Sequence, residues 1–385
     1  MPFAHVAADR ILLTGATGFL GRELARRIAG TRPLGLLVRR RDAESDSELR
    51  DRIGRSIFEG TAPRDLEIIA GDVTKTNLGI SGASRKWLER GRTQIVHGAA
   101  QVRFDLPLEE MQRQNVNGTK NVITLAEALD GAGALERLDY VSTCYVAGDR
   151  TDLVLEADLD RGQRPRNVYE HSKLEAEREL RRAMERELPV VVHRPSIIVG
   201  DSETGRASSF KVLYWPMKIY VRGRFSTIFG RPSCPIDVVS VDFVASAIAG
   251  LLDEPRAAGK TLHLAAGPQG QATIGELVDL AERLLDGPSV DYIDPEIYLR
   301  YLRPVVRPIL RTLRPDVAEG AVFLPYLAGN PSFDTTEALA LLTPRGISAR
   351  PVLDYFDVII RYAIESDFGK KELPKNGASK HSASI

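Results

Sequence analysis

Short, nearly continuous apolar runs alternate with longer helix-patterned segments through the first half of the chain, and few folds accept that order. The runs are 10–14 (RILLT), 34–38 (LGLLV), 66–70 (LEIIA), 94–97 (QIVH), 138–142 (LDYVS) and 190–193 (VVVH). Between them, segments 20–28, 46–58, 85–90, 108–129 and 168–187 repeat apolar residues at helical spacing. Strands that are apolar on both faces need cover on both faces, which helices supply in a strand–helix alternation. The pattern predicts an α/β fold, a doubly wound parallel sheet (Rossmann fold), with ligands bound at the carboxyl ends of the strands.

The second half is less regular. Segment 201–235 is rich in Gly, Pro, Ser and Arg and reads as loop with short helices. Segment 238–252 reads as a helix, 261–265 as a late strand and 274–285 as an amphipathic helix. The expected partition is a dinucleotide-binding domain over 1–200, rejoined by 236–266. A smaller, mostly helical substrate region covers 201–235 and 267–368, and 369–385 forms a polar, disordered tail. Charge balances at 52 basic and 52 acidic residues, so no basic field invites nucleic acid. Two cysteines without metal-type spacing build neither a disulfide framework nor a metal site. The opening MPFAHVAADR has no apolar signal core, so a cytoplasmic location is expected.

Directly after the first run comes TGATGFLGREL, with Gly15, Gly18 and Gly21 three apart. Glycines at a strand-to-helix turn let backbone approach a pyrophosphate, and the helix start offers N–H donors and a favourable dipole. Gly15, Thr17, Gly18, Phe19, Leu20 and Gly21 are the candidate contacts. The second run ends in Arg39, Arg40 and Arg41, where a carboxylate would suit a ribose hydroxyl and a cation suits a 2′-phosphate. Arg39 and Arg40 therefore point to NADP(H). Further along, YEHSK sets Tyr169 and Lys173 four apart on one helix face, a spacing common to many helices.

Taken together, TGATGFLG, GDVT (71–74), HGAA (97–100), NVNGT (115–119), YVSTCYVAG, the YxxxK pair and HRPSIIVGDSETG (193–205) resemble the extended short-chain dehydrogenase/reductase superfamily. The resemblance implies that Asp72 and Val73 lie at the adenine, and that Ala99 and Ala100 make room for a ribose. It implies that Pro195, Ser196 and Ile198 meet the nicotinamide carboxamide. Tyr169 becomes the proton donor, Lys173 the cation that lowers its pKa and binds ribose, and Thr143 (with Ser142 as alternative) the donor to the substrate oxygen. Asn115 helps hold a water beside the lysine. His97 is read as structural.

HGAAQVRFD, YEHSKLEAE, RPSIIVGDSETG and PIDVVSVDFVASAI (235–248) are most similar to the fatty acyl-CoA reductase and thioester-reductase (male sterility type) branch. That implies NADPH-dependent reduction of an acyl thioester, on coenzyme A or an acyl carrier protein, to an aldehyde, with the choice between aldehyde and alcohol as final product left open. Free-standing alcohol or ketone dehydrogenase, nucleotide-sugar epimerase and cofactor-sensing regulator are the competing readings. Segment 295–315 spaces Arg300, Arg303, Arg307, Arg311 and Arg314 among apolar residues, a stripe suited to an anionic membrane surface or to phosphates, though Pro304 and Pro308 interrupt it. A homodimer is a further expectation from the superfamily.

Overall fold

The computed structural model describes residues 8–104, 106–210, 212–222, 227–297, 323, 325–371 and 373. The basic stretch 300–314 and most of the tail lie outside the described residues. The strands are β1 (Arg10–Thr14), β2 (Leu34–Val38), β3 (Glu67–Ala70), β4 (Thr93–His97), β5 (Leu135–Val141), β6 (Val190–Pro195) and β7 (Thr261–Leu264). They form one sheet in the order β7-β6-β5-β4-β1-β2-β3, with every neighbouring pair parallel. The helices are α1 (Phe19–Ile28), α2 (Asp46–Ile57), α3 (Gly82–Glu89), α4 (Gly118–Gly131), α5 (Val168–Glu185), α6 (Tyr214–Val221), α7 (Val241–Leu251), α8 (Ile274–Leu285), α9 (Thr336–Leu342) and α10 (Phe356–Glu365).

Both sheet faces are covered, as the apolar runs require. On one face α1, α2, α7 and α9 bury Leu24, Ile28, Leu49, Ile53, Val244, Ile248 and Leu341. On the other, α3, α4 and α5 bury Leu88, Val122, Ala126, Ala176 and Leu180. Local signals set the helix starts. Ser45 and Glu48 form a capping box on α2, and the Asn167 side chain accepts from Glu170 N at 3.0 Å on α5, each worth ~1 kcal/mol.

The structure departs from the predicted elements in three places. β5 begins at Leu135, ahead of the expected 138, although Glu136 and Arg137 look like loop residues. Arg137 is buried because its guanidinium pairs with Asp139 and donates to the carbonyls of Leu251 (2.8 Å) and Glu254 (2.9 Å), where α7 ends. Each of these carbonyls also accepts one backbone N–H, and the cation adds a charge-assisted bond at the negative end of α7. Segment 108–129 is divided into a turn at Leu108–Met111, a π-helical stretch Gln112–Asn117 and α4. Segment 238–252 starts as a strand, because the β-branched Val238–Ser240 pairs in parallel with Ile197–Val199 before α7 begins.

The strand order reverses between β1 and β4, opening the crevice where such sheets bind ligands. Register aligns Thr14, His97 and Tyr140 across β1, β4 and β5 at that edge. Beyond the sheet, α6, α8 and α10 pack into a second apolar core. They enclose a cavity of about 60 Å³ bordered by Met217, Leu277 and Ile360. Among the described residues, no helix is long and apolar enough to cross a membrane.

Candidate active site

Gly15 has φ +78°, and a Cβ there would stand 2.5 Å from the carbonyl carbon of Gly98 in the turn after β4. A Cβ on Gly21 would stand 2.1 Å from the Gly15 carbonyl oxygen. The motif's glycines thus hold β1, α1 and the β4 turn closer than any side chain allows. Gly18 caps α1 without a side-chain hydrogen bond, and the helix has no acidic residue in its first turn. Its first N–H groups, over Phe19 and Leu20, accordingly suit an anion such as a pyrophosphate. The Thr17 carbonyl accepts from Arg22 Nε at 2.9 Å.

The other candidate dinucleotide residues border the same crevice. Asp72 Oδ1 accepts from the Thr74 amide and hydroxyl, both at 2.9 Å. Burial pushes the Asp72 carboxyl up, but these bonds and the Arg39 and Lys75 charges outweigh it and lower its pKa. Val73 packs on Gly118, where a Cβ would come within 3.2 Å, which explains the glycine of NVNGT. Arg39 makes no side-chain hydrogen bond among the described residues. Arg40 is already engaged by Asp46 and by the Glu44 carbonyl at 2.8 Å, so Arg39 is the freer cation. Ala99 N donates to Thr14 Oγ1 at 3.2 Å, with Ala100 next in the turn. Pro195 ends β6, buried Ser196 donates its amide to Leu264 O, and Ile198 lies in the short strand beside Val239.

At the end of β5 the two candidate hydroxyls separate. Ser142 donates to Glu177, itself forked by Arg194 at 2.6 and 3.0 Å, so Ser142 belongs to a buried ion pair. Thr143 Oγ1 accepts from the Tyr145 amide at 3.2 Å, and its hydroxyl stands near enough to the Tyr169 phenol to pull that phenol's pKa down. With Ser142 engaged elsewhere, Thr143 is the hydroxyl that faces the tyrosine. Tyr169 and Lys173 share one face of α5, and Phe104 packs over the tyrosine ring at 5.5 Å. Lys173, 2% exposed, donates from Nζ to Tyr140 OH at 2.6 Å and to the Val141 carbonyl at 2.7 Å. Asn115 lies on the π-helical stretch. Its side chain donates to Ser172 Oγ at 2.8 Å and exchanges hydrogen bonds with the Gln101 backbone, tying the β4 loop to α5 without touching Lys173.

Electrostatics corrects one expectation. Tyr169 lies above the ordinary tyrosine range, because burial and the neighbouring Glu170 carboxylate outweigh the Thr143 hydrogen bond. Lys173 is pushed down to about 7, by burial first, with Glu177 opposing. Burial takes His97 down to about 3, so it is neutral and structural, its Nδ1 on Thr14 Oγ1 at 2.7 Å and Nε2 on Thr119 Oγ1 at 3.2 Å. The pair thus keeps its proton on the phenol, the state from which a proton can be given away.

Three residues at the site were not among the sequence candidates. Tyr326 donates to Glu170 Oε1 at 2.5 Å and lies 6.3 Å from Phe104, ring to ring. It arrives from the short turn Pro325–Ala328, far along the chain, with no local pattern to mark it. Phe104 and Tyr140 stood inside quoted segments, and only the fold shows what they touch.

Comparison with known proteins identifies the family and the fold. The family model described as "Male sterility protein" matches residues 13–248. The nonribosomal peptide synthetase asaC of Aspergillus flavus is 29% identical over 274 residues, 66% of this chain and 26% of the relative. The aldehyde reductase lnaA of Aspergillus flavus is 28% identical over 401 residues, 96% of this chain and 37% of the relative. The chain thus spans well under half the length of either. Among solved structures, the terminal R domain from the myxalamid PKS-NRPS biosynthetic pathway superposes with a TM-score of 0.77 at 25% identity, covering 94% of this chain and 92% of that one. The chain belongs to the male sterility protein family, the thioester-reductase-like branch of the extended short-chain dehydrogenases/reductases.

Proposed function

We propose that this chain is an NADPH-dependent reductase of acyl thioesters, carried on coenzyme A or on a carrier protein. The observation that carries the reading is the convergence of the Thr143 hydroxyl and the Tyr169 phenol at the end of β5. They lie beside a glycine turn with an uncapped helix start. NADPH, when bound, supplies the hydride. Thr143 and Tyr169 hold the thioester carbonyl oxygen and stabilise the charge that grows on it. Tyr169 gives its proton to that oxygen as the carbonyl carbon gains the hydride pair, leaving a hemithioacetal. The carbon–sulfur bond then breaks, the sulfur leaves as a thiol with one proton, and an aldehyde remains. Lys173, beneath the tyrosine, orients the dinucleotide ribose, and Arg39 takes its 2′-phosphate.

The likeness to an aldehyde reductase over 96% of this chain supports a second reading, in which a free aldehyde is the substrate. Incubating the protein with NADPH and a series of acyl-CoA and acyl-pantetheine thioesters separates the two. Thioester reduction releases one thiol per aldehyde, and Tyr169→Phe abolishes it. Turnover of aldehydes with no thiol released from any thioester supports the second reading and overturns the first.

A further inference from the structure

One buried hydrogen-bond chain runs beneath the site and has only one consistent direction. Thr119 donates its only hydroxyl proton to the Asn115 carbonyl at 2.6 Å, so its oxygen otherwise only accepts. His97 Nε2 must then carry the proton it shares with Thr119, which leaves Nδ1 to accept from the Thr14 hydroxyl. Thr14 Oγ1 in turn takes the Ala99 amide. The Tyr140 ring stands beside His97, 5.6 Å away centre to centre. An ammonium can only donate, so the phenol oxygen accepts from Lys173 Nζ, 2.6 Å away, with the ammonium also 4.1 Å from the Tyr140 ring centre.

We propose that Tyr140 is the positioning residue for Lys173, its phenol set beside His97 by the strand register and accepting from the ammonium, which is thereby held at the end of β5. The inference rests on the role given to Lys173 in the proposed reduction. The register makes the device possible, since Thr14, His97 and Tyr140 are direct neighbours on three parallel strands. A phenylalanine would keep the ring contact and remove the acceptor. The groups facing Lys173 are Glu177 on α5, with Arg194 of β6 behind it, Tyr140 and the Val141 carbonyl on β5, and His97 on β4. Tyr140 and the Val141 carbonyl are the neutral acceptors among them, and loss of the Tyr140 oxygen favours the uncharged amine.

The test is a titration by NMR of protein labelled with 13Cε-lysine, with the Lys173 signal assigned by its loss in Lys173→Met. The wild-type midpoint is expected near 7. Tyr140→Phe is expected to lower it by roughly one pH unit, and the alkaline limb of carbonyl reduction to move down with it. Tyr140→Met, which fills the site flexibly and has no oxygen, is expected to give a shift of the same sign. It stands in if Tyr140→Phe does not fold. An unchanged midpoint in a folded Tyr140→Phe, or in Tyr140→Met alone if the former cannot be made, overturns the proposal. A shifted midpoint in a protein that reduces no carbonyl would instead overturn the proposed function and leave the positioning role standing.

Discussion

The dinucleotide crevice and the region bearing Tyr326 reach the same tyrosine by different means. The crevice is specified largely by residues close in sequence, where β1, the glycine turn and α1 follow one another and Gly15 also meets the next switch-point turn, at Gly98. The second region is assembled from distant pieces. Tyr326 reaches Glu170, Asn330 accepts from Arg166 at 2.7 Å, and a short strand at Ser332–Phe333 pairs with Leu153–Val154. Steps shared by every reduction depend on fixed backbone approach, which a motif encodes. Substrate shape depends on side chains whose neighbours lie far away in sequence, and these leave no periodic trace.

The comparison is most sharply tested at the tyrosine. Tyr169→Phe removes the proton donor and keeps the Phe104 contact, so kcat is expected to fall by roughly 10²–10⁴-fold with the dinucleotide dissociation constant unchanged. Steady-state rates and fluorescence titration check both halves of that statement. Much of this was legible beforehand. Near-continuous apolar runs gave the sheet, and TGATGFLG and YEHSK gave the crevice and the pair. The direction of the tyrosine pKa was not legible, because it depends first on the burial of the phenol and then on Glu170 buried beside it, a residue that looks like any exposed helical carboxylate. The choice of Thr143 over Ser142 likewise needed the buried Glu177–Arg194 pair, whose members lie on different elements.

A backbone-level challenge comes next. Gly21→Ala forces a methyl against the Gly15 carbonyl, and such overpacking costs about 1–3 kcal/mol, so both the melting temperature and dinucleotide affinity are expected to fall. Gly60→Ala, with nothing within 4 Å of the added methyl, serves as the matched control. Arg39→Ala is expected to weaken NADPH about 10-fold and leave NADH unaffected, the loss of one charge-assisted hydrogen bond. Equal loss for both dinucleotides would mean that Arg39 does not meet a 2′-phosphate. The smallest effect is expected from the other region. Tyr326→Phe removes the hydrogen bond to Glu170 and the one accepted from Asn167 Nδ2, costs about 1–2 kcal/mol in urea unfolding, and changes KM for the acyl substrate while that for NADPH holds.

The most direct test of thioester reduction is a single turnover with NADPH carrying deuterium at the transferred position of the nicotinamide, an acyl thioester as the other reactant and mass spectrometry of the products. The account predicts one deuterium on C1 of the aldehyde, one equivalent of free thiol, and neither product with Tyr169→Phe. Oxidation of the dinucleotide without thiol release, or thiol release without deuterium in the product, would contradict it.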